Sequence, residues 1–256
     1  MNNGDDQVDS ERAGFWRRVV DTLRETPTMV VPFTLLGLLA AGIEVLRQSD
    51  PVATVPQTAA QQGWVHVTFP VYPRPFEAVG TTLAGTLGLE IEWLLRTATF
   101  ETVALIGAAG AMVGVVRMIH PEQSRPVVGF VRLAAYELAL AGALLAIEYG
   151  LLVTDLADLV ALPLMIVLLY LYVRLFTVPA LLAQGEPIVT ALRESTQRTW
   201  LSGWTRLGLL FLFGLCGHLA VSLPVVVSAL PLPAGTAFAT ATVGTFHAVA
   251  VVVATT

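Results

Sequence analysis

The residue best placed to do chemistry is Glu137, near the middle of an apolar run. An unpaired carboxylate in hydrocarbon is costly, so such a group is paired, kept protonated or set against a polar cavity. Arg132, five residues earlier, reaches it only imperfectly along one helix; Tyr136 and Arg174 are the other candidate partners. Two readings follow. Glu137 is a proton- or substrate-linked group, or it makes a structural hydrogen bond to a neighbouring helix. Glu44 and Glu148 lie near the ends of apolar runs, where side chains reach headgroups or water.

The other reactive residue types do not assemble into a catalytic pattern. No two of His66, His120, His218 and His247 are three or four apart, and no carboxylate stands at ligand spacing from them. A metal site would need long-range convergence, for example of His218 with His247, and none is expected. The single cysteine, Cys216, excludes an internal disulfide framework and a cysteine-based zinc cluster, and reads as a small buried residue. Ser202-Gly203 follows Trp200-Leu201 and so lacks the leading glycine of an intramembrane serine protease turn. Glu90-Ile91-Glu92 with Arg96 is a distorted echo of a glutamate protease motif. No Gly-x-x-x-x-Gly-Lys loop is present for a nucleotide. The chain therefore reads as non-enzymatic, with no catalytic residue, cofactor or metal.

The elements that must position Glu137 are membrane spans. Hydrophobic residues make up 55% of the 256 positions and charged residues 13%, about half the charge of an ordinary soluble domain. Six apolar windows, at 28–46, 100–119, 127–147, 159–178, 207–230 and 234–255, are each long enough to cross about 30 Å of hydrocarbon. The last is the least hydrophobic, being rich in Ala, Thr and Val. The predicted fold is an all-α integral membrane bundle of six transmembrane helices with cytoplasmic amphipathic helices. It forms one domain over 14–256, behind an acidic, disordered tail at 1–13.

Every basic residue is arginine, and the arginines fill alternate gaps. Arg12, Arg17, Arg18, Arg24, Arg117, Arg125, Arg132, Arg174, Arg193, Arg198 and Arg206 fall on one side, and only Arg47, Arg74 and Arg96 on the other. The positive-inside rule then sets both termini in the cytoplasm of a multi-pass protein of the cell membrane. Arginine without lysine, with a net charge of −5, fits a salt-adapted prokaryote or a GC-rich genome with an acidic tail. The N-terminal arginines and the apolar run after them resemble a secretion signal, but the run continues past the small residues at 40–42 and reads as an uncleaved first span.

The external loop, 47–99, is punctuated by Pro51, Pro56, Pro70, Pro73 and Pro75. Residues 64–71 alternate in places as a short strand would. A span across 76–95 would bury Glu90, Glu92 and Arg96, so a helix on the outer surface is expected there. A re-entrant hairpin around Gly80, Gly85 and Gly88 is the alternative. On the cytoplasmic side, Trp16, Val19, Val20 and Leu23 form an apolar stripe beside Arg17, Arg18 and Arg24, which describes an interfacial helix ended by Pro27. A second such helix is expected over 186–205, with Arg193, Trp200 and Trp204 at headgroup level. Leu23-Arg24-Glu25-Thr26 parallels Leu192-Arg193-Glu194-Ser195, as a three-unit repeat or as chance in an Arg/Leu-rich chain. Gly110-x-x-x-Gly114 allows close packing, within the chain or in a dimer.

Thr177-Val178-Pro179-Ala180-Leu181-Leu182-Ala183-Gln184-Gly185, then Ala191-Leu192-Arg193-Glu194-Ser195 and Trp200, resembles a feature of uncharacterised polytopic proteins related to the membrane domain of glycerophosphoryl diester phosphodiesterases. The resemblance implies a six-helix bundle and no phosphodiesterase activity, since the soluble catalytic domain of those enzymes is not in this sequence. Two functions fit the whole: a scaffold that binds membrane lipids through anionic headgroups, and a transporter or permease subunit using Glu137. Partners are then lipids, a membrane protein or a second copy, and no nucleic acid. Glu137, Arg132, Arg193 and Trp200 are the candidate functional residues.

Overall fold

Among the described residues of the computed structural model, six helical segments are long and apolar enough to cross a membrane: Pro27–Gln48, Ile91–Ile119, Pro126–Leu151, Leu162–Gln184, Gly203–Leu223 and Pro233–Val253. The structure describes residues 3–49, 54–56, 73–77, 79–81, 90–122, 124–154, 157–197, 203–227 and 231–255. In chain order the elements are α1 (Asn3–Glu25), a 3-10 turn (Pro27–Met29), α2 (Val30–Gln48), β1 (Thr54–Pro56), β2 (Val79–Thr81), α3 (Ile91–Ile119), α4 (Pro126–Thr154), α5 (Ala157–Leu175), α6 (Val178–Gln184), α7 (Ile188–Gln197), α8 (Gly203–Val227), α9 (Leu232–Ala239), a π turn (Thr240–Gly244) and α10 (Thr245–Val253). Each apolar window of the sequence coincides with one long helix or, in the fourth and sixth spans, with two helices joined at a bend.

Two local expectations are corrected, at 76–95 and at Gly80. α1 itself begins at Asn3, within the acidic tail. The first half of α1 carries Asp5, Asp6, Asp9 and Glu11 against Arg12 alone, and the second carries Arg17, Arg18 and Arg24 against Asp21 and Glu25, a net order that complements a helix dipole. Of the surface helix expected over 76–95, residues 91–95 are instead the first turns of a span, since α3 begins at Ile91 and runs unbroken to Ile119, while 79–81 are in β2 and 82–89 lie outside the described residues. A helix satisfies its own backbone, so it can continue beyond the apolar stretch that reveals it in sequence. Gly80, offered as part of a re-entrant hairpin, pairs with Val55 in the two-stranded antiparallel sheet of β1 and β2. Gly85, Gly88 and the strand expected at 64–71 lie outside the described residues.

The least hydrophobic span is the innermost. In the sixth, 67% of the apolar window is buried, against 17% in the third, which therefore lies at the edge of the bundle. Small side chains let helices approach closely, and a helix wrapped by protein has no need of lipid-soluble residues. α9 packs against both α2 and α8, and α2 against α3. Gly114 of α3 meets Pro32, and a Cβ on Gly37 of α2 would come 2.6 Å from the Ala237 carbonyl oxygen, so these small residues serve packing within the chain.

At the arginine-bearing end, α1 docks against α10. Phe15 and Val19 are fully buried there, with Trp16 and Leu23 packed on the same core. The amphipathic stripe of α1 thus faces the protein's own interior, while Arg17, Arg18 and Arg24 are exposed.

Candidate functional site

Glu137 is completely buried in α4, and neither of its carboxylate oxygens has a hydrogen-bond partner among the described residues. Two of its expected partners are engaged elsewhere. Arg174 is exposed, and its Nε donates to the Tyr170 hydroxyl at 3.1 Å. Arg132 donates to the Gly185 carbonyl oxygen instead.

That bond follows from how the fourth span ends. Its helix breaks after Leu175 and resumes at Val178, with Pro179 in the first turn of α6, where a missing N–H costs nothing. α6 stops at Gly185, whose φ of 97° is open to glycine. The Gly185 N–H bonds to Leu182 and the Glu186 N–H to Leu181, the paired closure of a Schellman motif. Arg132 then caps the Gly185 carbonyl, and the backbone N–H of Arg125 reaches that of Gln184 at 3.4 Å. α4 lies so close to α6 that a Cβ on Gly129 would collide with the Ala183 carbonyl.

The break at 176–177 frees carbonyls at the C-terminus of α5, and α7 supplies their donor. Ser195, fully buried, donates to the Arg174 carbonyl oxygen at 2.6 Å and accepts from Thr177 Oγ1 at 2.9 Å. Arg206, 7% exposed, donates to the carbonyls of Val173 and Ser195 at 3.3 and 3.4 Å. Arg193, singled out in the sequence, is exposed on the outer face of α7. Of the helix expected over 186–205, α7 covers Ile188–Gln197 and 203–205 belong to α8, while 198–202, with Trp200, lie outside the described residues. Sequence reasoning missed Arg206 because it scored only as one more positive charge at the edge of a span.

Among the described residues, the densest charge cluster is at the opposite end. Arg47, placed by sequence in the external loop, is in the last turn of α2 with its side chain 4% exposed. It bonds Glu77 at 2.7 Å and Glu101 of α3 at 2.5 Å. One guanidinium thus ties two carboxylates that are 24 positions apart in sequence. Burial, and then the neighbouring Glu101 charge, push the Glu77 carboxyl above its usual range; Arg47 opposes both. One turn earlier on α2, buried Glu44 accepts a hydrogen bond from Thr236 of α9. His120, at the arginine-bearing end, is held below the usual histidine range by burial.

Glu77 arrives on an extended segment, 73–77, that enters the bundle. The Phe76 N–H donates to Thr240 Oγ1, in the π turn, at 3.0 Å. The Phe76 ring packs with Ala220, Val221 and Ala239, and occupies the space that a side chain on Gly217 would need. Pro73 and Pro75 are buried. Thr240 lies seven residues inside the sixth span and Gly217 six residues inside the fifth, which puts the Phe76 amide about 10 Å below the ends of both at 1.5 Å per residue. Non-helical backbone at such depth is tolerated only when protein or water satisfies it. Here Thr240 does so, from a π turn, an irregularity frequent at functional sites.

His247 of α10 is fully buried, stacked against Phe213 and Phe176 at centroid distances of 4.7 and 6.1 Å. Ser222 donates to the His218 carbonyl at 2.9 Å. No group of three or more His, Cys, Asp or Glu that could hold a metal ion is found among the described residues. Compared with known proteins, the chain matches no family model, no curated protein and no solved structure.

Proposed function

We propose that this chain is a non-enzymatic, multi-pass protein of the cell membrane, with both termini cytoplasmic, that engages the anionic headgroups of the inner leaflet. The observation that carries the reading is α1. Its apolar face is already taken up by the bundle, so Arg17, Arg18 and Arg24 are presented rigidly, with no need to insert. Each such charge near an anionic surface contributes about 1 kcal/mol. The test is native mass spectrometry of the full chain in nanodiscs of mixed neutral and anionic lipid. Replacing Arg17, Arg18 and Arg24 together by Gln should abolish the enrichment of anionic lipid. Retained enrichment in that variant overturns the reading.

Buried Glu137 favours a second reading, a transporter or permease subunit. It predicts that Glu137→Gln folds normally and loses proton-coupled flux in proteoliposomes carrying a pH dye. A flux equal to that of the parent protein removes the role.

A further inference from the structure

We propose that segment 73–77 is a removable plug, seated between α8 and α9 and latched by Arg47, which closes a polar passage at the end of the bundle opposite the arginines. The inference is independent of both functional readings, because its test reads exposure of a buried thiol and neither lipid nor flux.

Three observations converge on it. The first is depth. An extended peptide has no internal hydrogen bonds, and this one reaches about 10 Å into two spans. A loop whose only duty was to connect spans would stay at the surface, where water satisfies its backbone.

The second is the nature of the anchors. Phe76 is held by one hydrogen bond to Thr240 and by contact with Gly217 and the cluster of Ala220, Val221 and Ala239, in which Val221 is the largest side chain. A ring lying on side chains no larger than valine can leave without pulling a neighbour out of place. Glu77 is held by Arg47, which stays tied to α3 through Glu101 when Glu77 departs. The latch therefore opens without leaving a buried guanidinium unpaired. Arg47, Glu101 and Arg74 are the charged groups that act on Glu77 from α2, α3 and the segment itself.

The third is the polar character of the elements the segment touches. Thr240 bonds Phe76, and Glu44 of α2, Thr236 of α9 and His218 and Ser222 of α8 are buried on the same elements that hold Phe76 and Glu77. Polar side chains in a span face protein or a water-filled cavity and not lipid. Withdrawal of Phe76 would leave them lining a route for water or a small polar solute.

The test uses the full chain in proteoliposomes, with Cys216→Ala as background and Val221→Cys as reporter. Val221 is 2% exposed and packs beside Phe76. Labelling by a membrane-impermeant methanethiosulfonate should be slow in this background and rise at least tenfold with Glu77→Gln, and likewise with Phe76→Ala. If Glu77→Gln fails to accumulate, Phe76→Ala, which keeps the ion pairs, decides alone. Fast labelling with the segment intact, or an unchanged rate in Phe76→Ala, overturns the plug.

Discussion

The two ends of the bundle use arginine in different ways. At the arginine-bearing end, Arg132 and Arg206 donate to backbone carbonyls where the fourth span breaks and ends, and Arg206 also to one of α7. At the other end, Arg47 joins two carboxylates from separate parts of the chain. The first kind of bond completes local helix geometry. The second holds together segments that sequence keeps far apart. Arginine thus serves as a cap where helices break and as a clasp where a loop must be held in.

The largest expected effect tests that contrast directly. Arg47→Met should destabilise the chain by about 2–3 kcal/mol, because two carboxylates lose their shared partner, with Glu101 half exposed and so partly screened. Arg132→Met, which strands only a carbonyl, should cost about 1 kcal/mol. Equal losses in detergent unfolding would erase the distinction between clasp and cap.

Packing at two points along one helix gives the next test. Gly129→Ala would drive a methyl into the Ala183 carbonyl and should cost about 1–3 kcal/mol. Gly142→Ala, on the same helix but facing open space, should change stability by less than about 0.5 kcal/mol. A thermal shift for Gly142→Ala as large as that for Gly129→Ala would mean that the exposed half of α4 is covered by a partner.

A smaller contrast separates the buried glutamates. Thr236→Val removes the donor to Glu44 and should cost about 1–2 kcal/mol. Glu137→Gln breaks no hydrogen bond among the described residues and should fall within about 0.5 kcal/mol of the parent. A cost for Glu137→Gln matching that of Thr236→Val would reveal a partner for Glu137.

The smallest effects are in pH, and they have opposite signs at the two ends. The folded Glu77 carboxyl keeps its proton to higher pH than in the unfolded chain. Its contribution to stability is therefore full below the ordinary carboxylate range and is lost as pH rises through the raised value. The folded His120 resists protonation, so its contribution is present above the ordinary histidine value and is lost as pH falls below it. Glu77→Gln should flatten the acid side of the stability profile and His120→Gln the part near neutrality. A profile unmoved by either change would refute both assignments.

Much of this architecture was legible in the chain. The six apolar windows met six long helices, whereas the stripe around Val19, expected to lie on the membrane surface, is buried against the bundle instead. The turn at 177–185 was visible as a motif, and its physical cause is a proline-started helix closed by a left-handed glycine. The site was far less legible. Arg193 drew attention as a charge on a surface helix and is exposed. Arg47 looked like a loop residue and is the clasp. No local pattern distinguishes the two, because each is a single arginine near the end of an apolar or amphipathic run.

What the sequence determined by itself is the number of long apolar helices and the placing of most arginines in alternate gaps between them. Both follow from transfer energies that add up residue by residue along about 20 positions. Tertiary structure alone decided that the least hydrophobic helix lies innermost, that Arg132 caps a helix and leaves Glu137 alone, and that Phe76 enters the bundle. Among helices that are all apolar, hydrophobicity no longer ranks one contact above another. The arrangement then depends on close fit and on polar groups meeting across the fold, and neither is written in the spacing of a single segment.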